Sequence, residues 1–96
     1  MRLEWDEAKA QANLRKHGVS FSEAAVLLEP GADVVVLYDE EHSTFEDRFI
    51  TIGPIGRGIA LVVSMEPGES SIRLISARWA TRRERALYAA HRKGRR

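Results

Sequence analysis

"DRFITIGPIGRGIALVVSMEPGESSIRLISA", residues 47–77, is the stretch that decides the fold. It holds three runs of strand length, DRFITI (47–52), IALVVSM (59–65) and SIRLISA (71–77), separated by GPIGRG and EPGES. The first alternates, with Arg48, Ile50 and Ile52 on one face and Phe49 and Thr51 on the other. The second puts Ile59, Leu61, Val63 and Met65 on one face. Period two is the signature of a strand. The connections are too short for crossover helices, so neighbouring strands run antiparallel. GPIGRG (53–58) reads as a glycine-rich hairpin turn, and Pro67-Gly68 suits the middle of a type II turn. Carried along the third run, strict alternation sends Arg73 to one face with Ile75 and Ala77. It sends Arg78 to the other, with Ile72, Leu74 and Ser76.

Outward from this core, DVVVLY (33–38) is a further β-branched run, joined to it by the polar DEEHSTFE (39–46). Upstream the signals are helical. Asp6 suits an N-cap, EAKAQANLRKH follows, and Gly18 suits the left-handed residue past a helix end. Ser20 and Glu23 have capping-box spacing, so a second helix is expected over about Phe21 to Leu28, ending at Pro30. Downstream, Thr81 and Glu84 repeat that spacing at the start of ATRRERALYAAHR. The order helix, helix, four strands, helix predicts an α+β domain. It has two N-terminal helices, a four-stranded antiparallel sheet and a C-terminal helix, with the sheet's other face, or its edge, left open to a ligand. Ninety-six residues make a single domain over 1–96, with 92–96 expected as a flexible basic tail.

Composition narrows the class. There is no cysteine, which excludes disulfides and thiolate zinc sites and fits a cytoplasmic protein. No apolar run approaches the roughly 20 residues of a membrane span, and MRLEWDEAKA has no signal-peptide pattern. Net charge is +1, but it is divided unevenly. Residues 1–71 carry six Lys and Arg against thirteen acids, a net of −7. Residues 72–96 carry eight arginines and Lys93 against Glu84 alone, a net of +8. Such a split points to a polyanion-binding surface, or to an acidic partner that covers it.

The chemistry-bearing residues are few. DEEHS (39–43) gathers three acids and His42 without the spacing of a helical two-histidine metal site, and reads as a solvated connection. GPIGRG lacks the lysine of a phosphate loop and joins two strands, though Arg57 at its tip could meet a phosphate. Arg15, Lys16 and His17 end the first helix, where the dipole favours cations; His17 could also act as acid or base. The richest stretch is SARWATRRERALY (76–88). An arginine-bearing strand end feeds into a first helical turn holding Arg82, Arg83 and Arg85, the end of a helix that disfavours cations. Glu84 serves the capping box, and Tyr88 shares its helix face. No Ser-His-acid or Cys-His pattern supports nucleophilic catalysis.

The stretches LEWDEAKAQANLRKHGVSFSEA (3–24), DRFITIG (47–53) and IRLISARWATRRERALY (72–88) carry a resemblance. Tryptophan-aspartate, Lys9, Asn13, KHGVSF and ISAR-x-AT-x-x-ER-x-x-Y occur in that order. Together they resemble the BrnT-type toxins of bacterial type II toxin–antitoxin systems, with a RelE-like ribonuclease fold. Trp79 departs from the pattern, which has a lysine or another polar residue there. The resemblance implies an endoribonuclease that needs no metal or other cofactor, inhibits growth, and is neutralised by a BrnA-like ribbon-helix-helix antitoxin. Operator DNA would be met only through that antitoxin, and the assembly would be a homodimer or a toxin–antitoxin heterotetramer. Cleavage by the RNA's own 2′-hydroxyl needs a base, positive charge on the developing phosphorane, and an acid for the departing 5′-oxygen. Arg78 and Arg48 are the candidates for the phosphate, Glu84 for the base, and Lys16 or Tyr88 for assistance. RNA contacts fall to Arg82, Arg85, Tyr88, His17 and Arg57. The alternatives are a non-catalytic module that binds nucleic acid or a partner, and a decayed toxin that binds only its antitoxin.

Overall fold

The protein is seen as a computed structural model, which describes residues 2–68 and 70–94. Its elements are β1 (Arg2–Glu4), α1 (Glu7–His17), α2 (Phe21–Ala24) continued by a 3₁₀ turn (Ala25–Leu28), and β2 (Val35–Tyr38). There follow β3 (Asp47–Ile55), β4 (Gly58–Gly68), β5 (Ser71–Trp79) and α3 (Arg82–Lys93). The helix starts are those the sequence predicts. Asp6 accepts from the Ala8 N–H, and complete capping boxes join Ser20 with Glu23 and Thr81 with Glu84. Gly18 closes α1 at φ 72°. Arg92 and Lys93 of the expected tail are the last residues of α3, and Arg95 and Arg96 lie outside the described residues.

The sheet corrects the expected four antiparallel strands. It has five, in the order β1-β5-β4-β3-β2, and it is mixed because β1 pairs parallel to β5. Three residues of β1 give too short a run for periodicity to register. Two turns also differ. β3 continues through Gly53 and Pro54, so the reversal is confined to Gly56 and Arg57, with Gly56 at φ 35°. Gly53 is there for close approach: a Cβ would stand 2.8 Å from Val34 and 2.9 Å from Leu27. Pro54 is tolerated because β2 pairs only as far as Ile52, which leaves no strand to receive the missing N–H. Pro67 and Gly68 belong to β4, where Gly68 pairs with Ser71 and lacks the positive φ of a type II turn. Glu69, also in that expected turn, lies outside the described residues.

A core forms on each face. One gathers Ala10, Val19, Phe21, Ala24 and Leu27 of the N-terminal helical segment against Ile55, Ala60, Val62, Leu74 and Ala77. The other gathers Val35, Ile52 and Leu61 under Ala80 and Tyr88. The first is the larger, so the sheet face beneath α3 is the less covered. Above Arg73, β5 has no strand on its β1 side. There the buried Asn13 side chain takes the partner's place: it accepts from the Ala77 N–H at 3.1 Å and donates to the Ala77 carbonyl at 2.8 Å. A third bond, 3.0 Å to the Val19 carbonyl, ties in the residue after the α1 cap.

Candidate functional site

The face under α3 is ordered by strand register. One rung runs Arg78–Leu61–Ile52–Val35, the next Ser76–Val63–Ile50–Leu37, and the third Arg73–Met65–Arg48. α3 seals the first rung, where Leu61, Ile52 and Val35 are buried. The others lie beyond it, and Val63, Ile50, Met65, Arg73 and Arg48 are only half-buried.

Arg73 belongs here because of a bulge. The β4–β5 register slips between Val63 and Ser64, pairing Val63 with Ser76 but Ser64 with Leu74, so Ile75 is the extra residue. Leu74 and Ala77 therefore share the buried face, contrary to strict alternation, and Arg73 joins Arg78 and Arg48 on the other. No residue pattern in SIRLISAR announces the slip, and sequence reasoning placed Arg73 on the opposite face for that reason. Arg73 and Arg48 stand two strands apart, about 10 Å between backbones, and Arg78 is four residues farther along the strands, about 13 Å. The chain thus sets three guanidinium-bearing side chains around a half-apolar floor. Glu46 reaches Arg73 at 3.9 Å. Arg48 places Nη2 3.8 Å from the Met65 sulfur, and its Nε is shut from solvent without a hydrogen-bond partner among the described residues.

Arg78 is held more firmly. Its Nη1 and Nη2 donate to the two Glu84 carboxylate oxygens at 2.8 and 2.9 Å, and Nη1 also donates to the Trp79 carbonyl. Glu84 Oε1 accepts the Thr81 N–H as well, at 2.8 Å. The fork grips Glu84 with the Nη1/Nη2 end and leaves the Nε/Nη2 edge for a second planar or tetrahedral anion. The Arg78 guanidinium, helped by the Thr81 N–H and opposed by partial burial, holds the Glu84 carboxyl at about 2 instead of 4.5. Such a group is ionised at neutral pH but takes up a proton reluctantly.

This pair has a pH consequence. The folded carboxyl titrates below its unfolded value, so its stabilisation is complete above about pH 4.5 and fades as pH falls toward 2. Glu84→Gln keeps a side-chain acceptor for the capping box but loses the charge. Discounted for partial exposure, the variant is expected to be about 1–2 kcal/mol less stable than wild type at pH 7. The gap should narrow steeply below pH 4. Denaturant melts across pH 2–7 check this, and a gap independent of pH would refute it.

Of the remaining candidates, only Tyr88 packs onto this face of the sheet, in the core under α3. Tyr88 is buried at 4% exposure, with its hydroxyl 3.3 Å from both the Asp33 carbonyl and carboxylate. Burial, reinforced by Asp33, pushes the phenol above its ordinary value. Arg57 is engaged on the opposite side of the sheet. It forks onto Glu23 at 2.9–3.1 Å, donates to the Gly18 carbonyl at 3.1 Å, and stacks over Trp79 at 5.0 Å. That stack accounts for a tryptophan at position 79, which packs toward the larger core. Lys16 is exposed and His17 half-buried at the end of α1, on that same side. Neither makes a side-chain hydrogen bond or ion pair among the described residues. Arg82 and Arg83 are exposed in the first turn of α3 without an acidic partner among the described residues, while Arg85 donates to the Ala80 carbonyl at 3.0 Å. In DEEHS, Asp39 caps a short 3₁₀ turn and pairs with His42 at 2.9 Å. The structure therefore brings Arg78, Glu84 and Arg48 to one face, adds Arg73, and leaves Arg57, Lys16 and His17 on the other.

No curated protein sequence matches the chain. Among solved structures, the crystal structure of the Brucella abortus ribonuclease toxin, BrnT, matches with a TM-score of 0.67 at 29% identity, over 85% of this chain and 99% of that one. A family model described as the ribonuclease toxin, BrnT, of type II toxin–antitoxin systems matches residues 5–84, which takes in α1, the whole sheet except β1, and the Arg78–Glu84 pair. The chain belongs to the BrnT family of type II toxin–antitoxin ribonuclease toxins.

Proposed function

We propose that the chain is a metal-independent endoribonuclease whose RNA phosphates lie on the arginine face of the sheet, and that a BrnA-like ribbon-helix-helix antitoxin neutralises it. The observation that carries this reading is the arrangement of Arg78. It is fixed end-on by Glu84, keeps one donor edge free, and shares its face with Arg48 and Arg73. Attack of a 2′-hydroxyl on the adjacent phosphate builds negative charge on the equatorial oxygens. Preorganised guanidinium donors stabilise that charge without reorganising. Because the protein supplies fixed cations where the charge develops, the reaction has no need of a metal for that purpose.

Within this reading Glu84 is a positioning residue rather than the base. Both its oxygens are occupied, and its carboxyl titrates near 2. Lys16 and His17 lie across the sheet from Arg78, and the Tyr88 hydroxyl is held at Asp33, so the 2′-hydroxyl gives its proton to solvent water, the departing 5′-oxygen takes one from it, and the arginines carry the rate enhancement. Arg82 and Arg83, at the cation-disfavoring end of α3, extend the anion surface. RNA backbone there relieves their repulsion.

Purified protein incubated with single-stranded RNA in EDTA tests the reading. The expected result is cleavage that leaves 5′-hydroxyl ends and is undiminished by the chelator. Binding that weakens steeply with salt, with no cleavage, would instead favour a non-catalytic module. Loss of cleavage on chelation would refute metal independence.

A further inference from the structure

One edge of the sheet is β2, and it is unusual in that no strand among the described residues covers it. Proteins commonly blunt such edges with lysine, proline or a bulge. Here the strand reads Val35-Val36-Leu37-Tyr38, and Val36, Leu37 and Tyr38 are 55, 40 and 49% exposed. Phe45, in the connection that follows, is 97% exposed. The Asp39 N–H donates to the Arg48 carbonyl. Alternation along an antiparallel ladder then turns the backbone groups of Val35 and Leu37 toward β3, and those of Val36 and Tyr38 outward. Two N–H groups and two carbonyls on one edge are therefore available to a further strand.

The flanks select what that strand is. Residues 29–47 hold Glu29, Asp33, Asp39, Glu40, Glu41, Glu46 and Asp47 and not one lysine or arginine. Arg92 meets Asp33 at 3.5 Å and Arg73 meets Glu46 at 3.9 Å, so the charge left over is concentrated after β2, at Asp39, Glu40, Glu41 and Asp47. A second copy of β2, laid antiparallel on the first, would set this acidic stretch against Glu29 and Asp33 of the other, a stretch with no lysine or arginine of its own to receive it. Nucleic acid is excluded on the same ground. We propose that β2 is a docking edge for an extended segment of another polypeptide, one that carries apolar residues in alternation and lysine or arginine at its ends, and that it joins the sheet as a sixth strand. Backbone bonds to Val36 and Tyr38 would supply affinity, and charge at the flanks would supply the choice of partner. The proposal uses no residue assigned to RNA, so it stands or falls apart from the ribonuclease reading.

The test uses the full chain and two ten-residue peptides with the same threonine–valine alternating core, one ending in two lysines at each end and the other in two glutamates. Amide hydrogen exchange followed by NMR is expected to slow at Val36 and Tyr38 with the lysine peptide. Affinity for the glutamate peptide is expected to be at least about tenfold weaker, and added salt should erase the difference. Val36→Pro removes one outward N–H without touching the ladder to β3, and should abolish lysine-peptide binding. The exchange map of the wild type decides the matter even if that variant does not fold. Equal binding of both peptides, or no protection at Val36 and Tyr38, would overturn the proposal. So would protection that rises with protein concentration alone, since a second copy would then be the occupant.

Discussion

Replacing Arg78 with alanine is expected to abolish RNA cleavage and growth inhibition while the fold persists. Loss of one preorganised oxyanion donor costs about 10²–10³ in rate, and Arg78 offers a two-donor edge to the phosphate, so the loss should reach at least the upper end of that range. The variant should still fold. Arg78 is half-buried on β5, its neighbour Leu61 remains under α3, and Glu84 retains the Thr81 N–H and the capping box. The released Glu84 carboxylate is partly exposed and can be solvated, so a stability loss of about 1–2 kcal/mol is expected. Arg78→Lys sharpens the test. Lysine keeps the charge but cannot hold Glu84 end-on and present a second edge at once, so it should restore little of the activity. Cleavage assayed beside circular dichroism and thermal melts separates the two effects. Undiminished cleavage by Arg78→Ala would remove the arginine face from the mechanism.

That prediction was within reach of the sequence because the local chemistry around Arg78 is explicit. Two capping boxes, an N-cap aspartate and a left-handed glycine fix the helix starts and the end of α1 by rules that act over three or four residues. Period-two alternation in 47–52 and 59–65 likewise gives the faces of β3 and β4 correctly. The features that escaped depend on partners distant in sequence. β1 becomes a strand only because β5, some seventy residues later, offers it an edge. The bulge at Ile75 inverts the facing of Arg73 relative to Arg78, and alternation, once broken, carries no mark of where it broke. Arg57 shows the same limit from the other side. Its place at a glycine-rich tip suggests a phosphate contact, but Glu23, Gly18 and Trp79 meet it from three other parts of the chain. Glu84 was legible as a cap and ambiguous as a base; the end-on grip by Arg78 accounts for its low titration point and favours a positioning role.

The largest effect on stability is expected at Asn13, a residue with no part in the chemistry. Its side chain makes three buried hydrogen bonds, two to Ala77 and one to the Val19 carbonyl. In Asn13→Ala the Ala77 N–H and both carbonyls lose their partners within a core formed by Ala10, Val19 and Ala77, where there is little room for water. Each buried group left unsatisfied costs about 1–3 kcal/mol, and partial relaxation makes the three less than additive, so a loss of about 3–4 kcal/mol is expected. For a domain of this size that corresponds to a melting temperature lower by roughly 12–30 °C. Asn13→Asp discriminates among causes. The aspartate is nearly the same shape and can still accept from the Ala77 N–H, but it cannot donate to either carbonyl and brings a charge into the core. If hydrogen bonding to the strand edge is what Asn13 provides, Asp should be at least as harmful as Ala at pH 7. If mere volume mattered, Asp would rescue. The amide therefore does for one residue what a sixth backbone strand would do for a whole edge: it supplies a donor and an acceptor in register with Ala77, and so holds the end of β5 from which Arg78 projects toward Glu84.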